Sequence, residues 1–164
     1  MNVLIFSDSH GRGYLVSEAM ERQVTSPDAV VFLGDGLRDL ESADTGNAEL
    51  YCVRGNCDFA AFGEDEEQTV ILGGLRVFMT HGHRYSVKNG YGLAIARAIS
   101  KGADVLLFGH THQPYYQCIE KGSEVCGRIL ERDLHVFNPG SLREGSFGTL
   151  TVRGGSVIFN NAYL

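Results

Sequence analysis

No apolar run in the chain approaches the roughly 18 residues that a membrane-spanning helix needs, so no membrane partner is expected. The opening residues, MNVLIFSDSHG, lack the basic segment and small-residue cleavage site of a secretory signal, and are expected to form the first strand of the mature fold. Basic residues are scarce and scattered: 14 Lys and Arg stand against 20 Asp and Glu, a formal net charge of −6. This argues against a long nucleic acid, whose binding relies on counterion release along a basic stripe. It leaves small phosphorylated ligands open, because bound metal ions would dominate a local field. The four cysteines show neither C-x-x-C pairing nor disulfide spacing, and free thiols in a reducing cytoplasm are expected. There is no repeat, low-complexity tract or linker, and 164 residues fit one domain, 1–164, with a single sizeable core.

Glycine, by contrast, is plentiful at 21 residues, many of them beside His, Asp or Asn, as in loops that turn sharply next to functional groups. Residues 2–7, 29–35, 49–56 and 103–112 are short apolar runs of the kind that form strands buried on both faces. Residues 69–82 read as two strands around a Gly73-Gly74 turn. Helical spacing predicts helices over 13–24 (Leu15, Val16, Ala19, Met20, Val24) and 87–101 (Leu93, Ile95, Ala96, Ile99). From residue 115 onward only short strands are expected, at 115–120, 134–137, 147–152 and 155–160. The acidic run GEDEEQ (63–68) reads as an exposed loop, and Asp39 and Asp44 as capping or solvated residues. Alternating β and α giving way to mostly β is the pattern of a layered α/β sandwich with a pair of mixed sheets.

The apolar runs share one property. Each ends in polar groups at its C-terminal end: Asp8 and His10, Asp35, Asn56, His81, then His110 and His112. Such strand ends are where α/β sheets build their sites. Asp8 and His10 are two apart, as are His110 and His112, so in extended chain each pair would point to one side and meet one ion. Two carboxylates, one amide oxygen and four imidazoles suit Mn, Fe, Zn, Co or Ni rather than Ca. Seven donors exceed one ion's needs but suit two ions sharing a bridging carboxylate, roughly 3.5–4 Å apart, as in hydrolysis of phosphoryl groups.

In order, DSH (8–10), GD (34–35), GN (55–56), HG (81–82) and GHTH (109–112) resemble the calcineurin-like metallophosphoesterase superfamily. The short chain, with GNCD, THGH and NPGS (138–141), is most similar to its small YfcE-type phosphodiesterases, from residue 3 to about 150. The resemblance implies an α/β fold, a four-layer α/β/β/α sandwich of two mixed sheets. It also implies a cytoplasmic enzyme with two divalent transition metal ions, Mn foremost, with Fe, Zn, Ni or Co as alternatives. Asp8, His10, Asp35 and His112 would surround one ion, and Asn56, His81 and His110 the second, with Asp35 bridging. A metal-bridging hydroxide would attack a small phosphodiester drawn in by the metals and Asn56.

Many members of the family carry a histidine after the motif asparagine, thought to protonate the leaving alcohol; here that position is Cys57. Imidazole is the usual donor for this task, and a thiol nucleophile would need an electropositive setting and a base. The expectation is an enzyme weak in leaving-group protonation, favouring esters whose leaving group needs little help, with Asp58 or His83 as substitute acids. His83 otherwise reads as a support for the ligands, and His135 as a structural histidine. Arg12 and Arg143 would reach substrate phosphate, and Asn138 and Ser141 would contact substrate or shape the site. Two other functions compete: a phosphomonoesterase on nucleotides or phosphoproteins, and a non-catalytic metal-binding scaffold of the same fold, as in the related retromer subunit. The strand-rich C-terminal part would support a homo-oligomer.

Overall fold

The computed structural model describes residues 1–59, 61 and 63–164. Two five-stranded sheets stack face to face, each with a short helix on its outer side. The first has strand order β12-β11-β1-β2-β3 and is built from β1 (Asn2–Phe6), β2 (Ala29–Phe32), β3 (Glu49–Cys52), β11 (Ser146–Arg153) and β12 (Ser156–Tyr163). The second has order β4-β5-β6-β10-β7, from β4 (Glu67–Leu72), β5 (Leu75–Thr80), β6 (Val105–Phe108), β7 (Pro114–Ile119) and β10 (Leu134–Pro139). A two-stranded hairpin, β8 (Glu124–Val125) with β9 (Arg128–Ile129), lies outside both sheets. The helices are α1 (Tyr14–Glu21) and α2 (Gly92–Ser100).

Alternation along the strands explains the layering. Val3 and Ile5 of β1 face inward, with Val31 of β2, to meet Val77 and Met79 of β5, Leu107 of β6 and Phe137 of β10. The intervening Leu4, Phe6, Val30 and Phe32 face outward and pack against Leu15, Val16 and Ala19 of α1. Phe78, Leu106, Phe108 and Val136 do the same for Ala94, Ile95 and Ala98 of α2. Strands covered on both faces have no polar side, which is why their sequences read as unbroken apolar runs. The four-layer α/β/β/α sandwich is the observed architecture.

Each sheet holds three adjacent parallel strands, β1-β2-β3 and β5-β6-β10, with antiparallel strands outside them. Parallel strands put their C-terminal ends on one edge, so the polar groups that follow β1, β2, β5 and β6 emerge together.

Several expected boundaries move inward. The first helix ends at Glu21, leaving Val24 fully exposed. The second begins only at Gly92, after a 3-10 turn at Val87–Asn89, and it buries Ala94 and Ala98 while Leu93 faces solvent. The acidic run is not simply an exposed loop, because Glu67 starts β4 and takes an ion pair from Arg97 and a hydrogen bond from Tyr85. Glu66 accepts Arg54 and Arg84 in the same way. His135 lies half-buried between Tyr116 and Phe159, with Tyr116 Oη 3.1 Å from its Nδ1.

The Glu67 cluster gives a pH-dependent prediction. The Arg97 guanidinium, aided by Tyr85 against the cost of burial, holds the Glu67 carboxyl down at about 2, from a usual 4.5. Its stabilisation is present above about pH 4.5 and is lost as pH falls towards 2. Glu67→Gln should lower the melting temperature by about a few degrees at pH 7. That gap should narrow by pH 3; an unchanged gap would show that the pair contributes nothing.

Candidate metal centre

Past the strand ends the backbone leaves the extended region. Asp8, His10, Asp35, His110 and His112 all have positive φ, between 46° and 67°. Among the described residues only two other non-glycine residues do, Ser86 and Cys126. Left-handed backbone at side chains other than Gly is costly and is retained where a site requires it. Neighbouring glycines permit the crowding. A Cβ on Gly109 would sit 1.9 Å from Ser7 Oγ, and one on Gly34 only 2.4 Å from the Gly55 nitrogen.

These turns assemble the side chains into two adjoining groups. In the first, Asp8, His10 and His112 bring their ligand atoms within 4.8 Å of one another. Asp8 is fully buried, and its Oδ2 accepts Ser7 Oγ at 2.5 Å and the His110 amide at 3.0 Å. Among the described residues its Oδ1 is buried without a hydrogen-bond partner and faces Nε2 of His112 at 3.1 Å and of His10 at 3.7 Å. Those two ring nitrogens are 3.4 Å apart. A buried carboxylate oxygen left unpaired among ring nitrogens is costly unless a cation completes it, so the donors fit a divalent ion.

The second group is Asp35, His81 and His110. His81 Nδ1 donates to the Leu33 carbonyl at 2.7 Å, which leaves Nε2 with its lone pair outward. That Nε2 lies 3.4 Å from Asp35 Oδ2 and 3.1 Å from His110 Nδ1. Asp35 also belongs to a third group, with His10 and Cys57, and so lies between the other two. Burial alone would raise the Asp35 carboxyl, but the His81 imidazole and the Cys57 amide and thiol hold it far below the usual carboxylate range. Burial disfavours a charged His81, yet Asp35 and Asp8 raise it above its ordinary value. Burial and the neighbouring charges of His81 and Lys88 press His110 down to about 4.

The family model of the calcineurin-like phosphoesterase superfamily domain matches residues 1–155. The chain belongs to this superfamily. Over 143 residues it is 36% identical to a probable metallophosphoesterase, YsnB, of Bacillus subtilis, covering 87% of this chain and 76% of that one. A solved protein of Streptococcus pneumoniae TIGR4, described as a predicted phosphoesterase, matches at 26% identity and a TM-score of 0.76, over 99% of this chain and 88% of that one. An archaeal phosphodiesterase shares the fold, with a TM-score of 0.73 at 24% identity and all of both chains covered.

The remaining candidates of this calcineurin-like site fall into different places. The Asp58 carboxylate accepts four backbone N–H groups: Asp35 and Gly55 on Oδ2 at 2.7 and 2.8 Å, Gly36 and Leu37 on Oδ1 at 2.9 Å each. Through these four bonds the Asp58 carboxylate ties the turn after β2 to the turn after β3 and positions the Asp35 backbone. Asn138 and Ser141 are fully buried. Asn138 Nδ2 donates to the Gly109 carbonyl and Thr111 Oγ1, and Ser141 Oγ to the Asp8 carbonyl, so both brace the ligand loops. Arg12 and Arg143 are exposed, and the Arg12 guanidinium donates to the Arg143 carbonyl at 3.0 Å.

His83 packs its ring 5.5 Å from that of His81 and 3.9 Å from Glu66, and burial presses it towards the neutral form. The Cys57 amide donates to Asp35 Oδ1 at 2.7 Å, and its sulfur accepts Asn56 Nδ2 at 3.2 Å. Burial and the carboxylate of Asp35 push the thiol up to about 11. Its closeness to His10 and Asp35 was not evident from the sequence. The bracing by Asp58 was missed as well, since an Asp after GNC carries no local sign that four amides converge on it.

Proposed function

We propose that the chain is a two-metal phosphodiesterase acting on small substrates. The observation that carries this reading is the unpaired Asp8 Oδ1, buried at the centre of one donor group, with a second donor group joined to it through Asp35. Asp8, His10 and His112 would hold one ion, His81 and His110 the other, and Asp35 would be shared. The Asn56 Nδ2 is committed to Cys57 Sγ, which leaves the amide oxygen as its ligating atom. When bound, the ions supply an activated water and neutralise charge on the phosphoryl group. The chain's own part is to hold the imidazole lone pairs inward, through bonds such as His81 Nδ1 to Leu33, to fix the Asp8 and Asp35 carboxylates by Ser7 and the Cys57 amide, and to anchor the Asp35 backbone on Asp58.

Diesters are favoured over monoesters because both arginines named for a dianion are exposed and the Arg12 guanidinium is spent on the Arg143 backbone carbonyl. The likeness to an archaeal protein called a phosphodiesterase points the same way. Metal-depleted protein should be inactive and recover with Mn, binding about two equivalents. It should then cleave bis(4-nitrophenyl) phosphate at least tenfold faster than 4-nitrophenyl phosphate. Binding without hydrolysis of either compound would instead mark a scaffold, and preference for the monoester would reverse the substrate class.

A further inference from the structure

A cavity of about 500 Å³ opens beside the metal centre, a size typical of small-molecule sites. His10, Asp35 and Cys57 form one part of its wall, and Leu37, Arg38 and Phe59 another. Phe59 is 79% exposed, a large ring held in water next to the donor groups. Arg38 brings an exposed guanidinium fork to the same wall. The three carboxylates there are already occupied: Asp35 by the Cys57 amide and His81, Asp39 by Ser9 Oγ and the Gly11 amide, Asp58 by four amides. An aromatic face and a phosphate-binding fork beside a phosphoryl-transfer site suit a nucleotide.

The wall also limits which bond can break. His10 is turned to Asp8 and His112, the three carboxylates are each held by neighbouring groups, and the Cys57 thiol is a weak donor. A departing alkoxide needs a proton as its bond breaks. A departing phosphate does not, because its second ionisation lies near pH 6. Charge on such a leaving group is met by a cation, which the wall has.

We propose that this cavity receives the nucleotide leaving group of a phosphoanhydride-linked substrate, its base stacked on Phe59 and its departing phosphate paired with Arg38. The proposal rests on the two-metal phosphodiesterase reading and narrows its substrate class. The water oxygen bonds to one phosphorus, and the bond from that phosphorus to the bridging oxygen breaks. The bridging oxygen keeps the electron pair and leaves as part of a nucleoside monophosphate. Both protons of the water pass to solvent, so a dianionic anhydride becomes two dianionic monophosphates.

Three substrates separate the possibilities on Mn-loaded protein: diadenosine diphosphate, the dinucleoside monophosphate ApA, and bis(4-nitrophenyl) phosphate. The first two carry the same bases and differ in the leaving group. The expected result is a kcat/KM at least 100-fold higher for diadenosine diphosphate than for ApA. Phe59→Ala and Arg38→Ala should each lower it about tenfold and weaken adenosine monophosphate binding by a similar factor, measured by calorimetry. ApA cleaved as fast as the anhydride, or variants that bind the monophosphate within twofold of the parent, would overturn the proposal. Cleavage of the aryl diester but not the anhydride would sink this inference alone. Inactivity on all three with every divalent ion would remove the phosphodiesterase reading and this one with it.

Discussion

Asp35→Asn is expected to lower kcat/KM by about three orders of magnitude while leaving the protein folded. Asp35 is the one residue common to the group with His81 and His110 and the group with His10 and Cys57. Asparagine keeps the side-chain size and an oxygen for the Cys57 amide, so the turn after β3 retains its 2.7 Å anchor. What disappears is a negative charge held far below the usual carboxylate range beside His81. Several kcal/mol of transition-state stabilisation depend on metal charge being correctly placed, and about 1.4 kcal/mol is tenfold in rate. A second readout is independent of turnover. An ion at about 100 times its dissociation constant adds about 2.7 kcal/mol, or roughly 5–10 °C in a chain of this size. Mn should raise the melting temperature of the parent by that amount and of Asp35→Asn by far less. A variant that keeps both its Mn shift and its activity would show that Asp35 does not hold metal.

The fold was largely legible because burial on both faces leaves a plain mark. Strands such as Val3–Phe6 and Val105–Phe108 have no polar side, and an unbroken apolar run reports that directly. The donors were legible for a related reason, since each stands just past such a run. The geometry joining them was not. Extended spacing implies that Asp8 and His10 share a side, and they do meet, but through left-handed backbone at both residues. The same spacing would send His110 and His112 to one ion, whereas the turns send His112 to Asp8 and His110 to Asp35. Left-handed kinks depend on contacts such as Gly109 against Ser7, which lie 102 residues apart and leave no local trace. Helix ends were overrun for an ordinary reason: periodicity marks which residues could continue a helix, not where packing stops supporting it. Val24 fits the period and lies in water past the end of the first helix, while Leu93 lies within the second but on its outer face.

Asp58→Ala should be the most destabilising single change near the site, although it touches no candidate ligand atom directly. Its carboxylate ties together two stretches that come from different strands, Asp35–Leu37 after β2 and Gly55 after β3. Removing it leaves four amide N–H groups without their acceptor. Hydrogen bonds to a charged group contribute roughly 1.5–3 kcal/mol each, but water can reach this half-buried position and replace part of the loss. A net cost of about 3–5 kcal/mol follows, a fall of about 10 °C in melting temperature. Because Asp35 itself is one of the four, the variant should also bind Mn about 10- to 100-fold more weakly, as when an outer partner of a metal ligand is lost. Asp58→Asn separates bracing from acid catalysis. It keeps one oxygen for two amides and should recover part of the melting temperature and of the metal affinity. A proton donor would behave otherwise, with intact metal binding and a lost acid limb in the pH–rate profile. The four-amide geometry predicts the first pattern, in which stability and metal affinity fall and recover together.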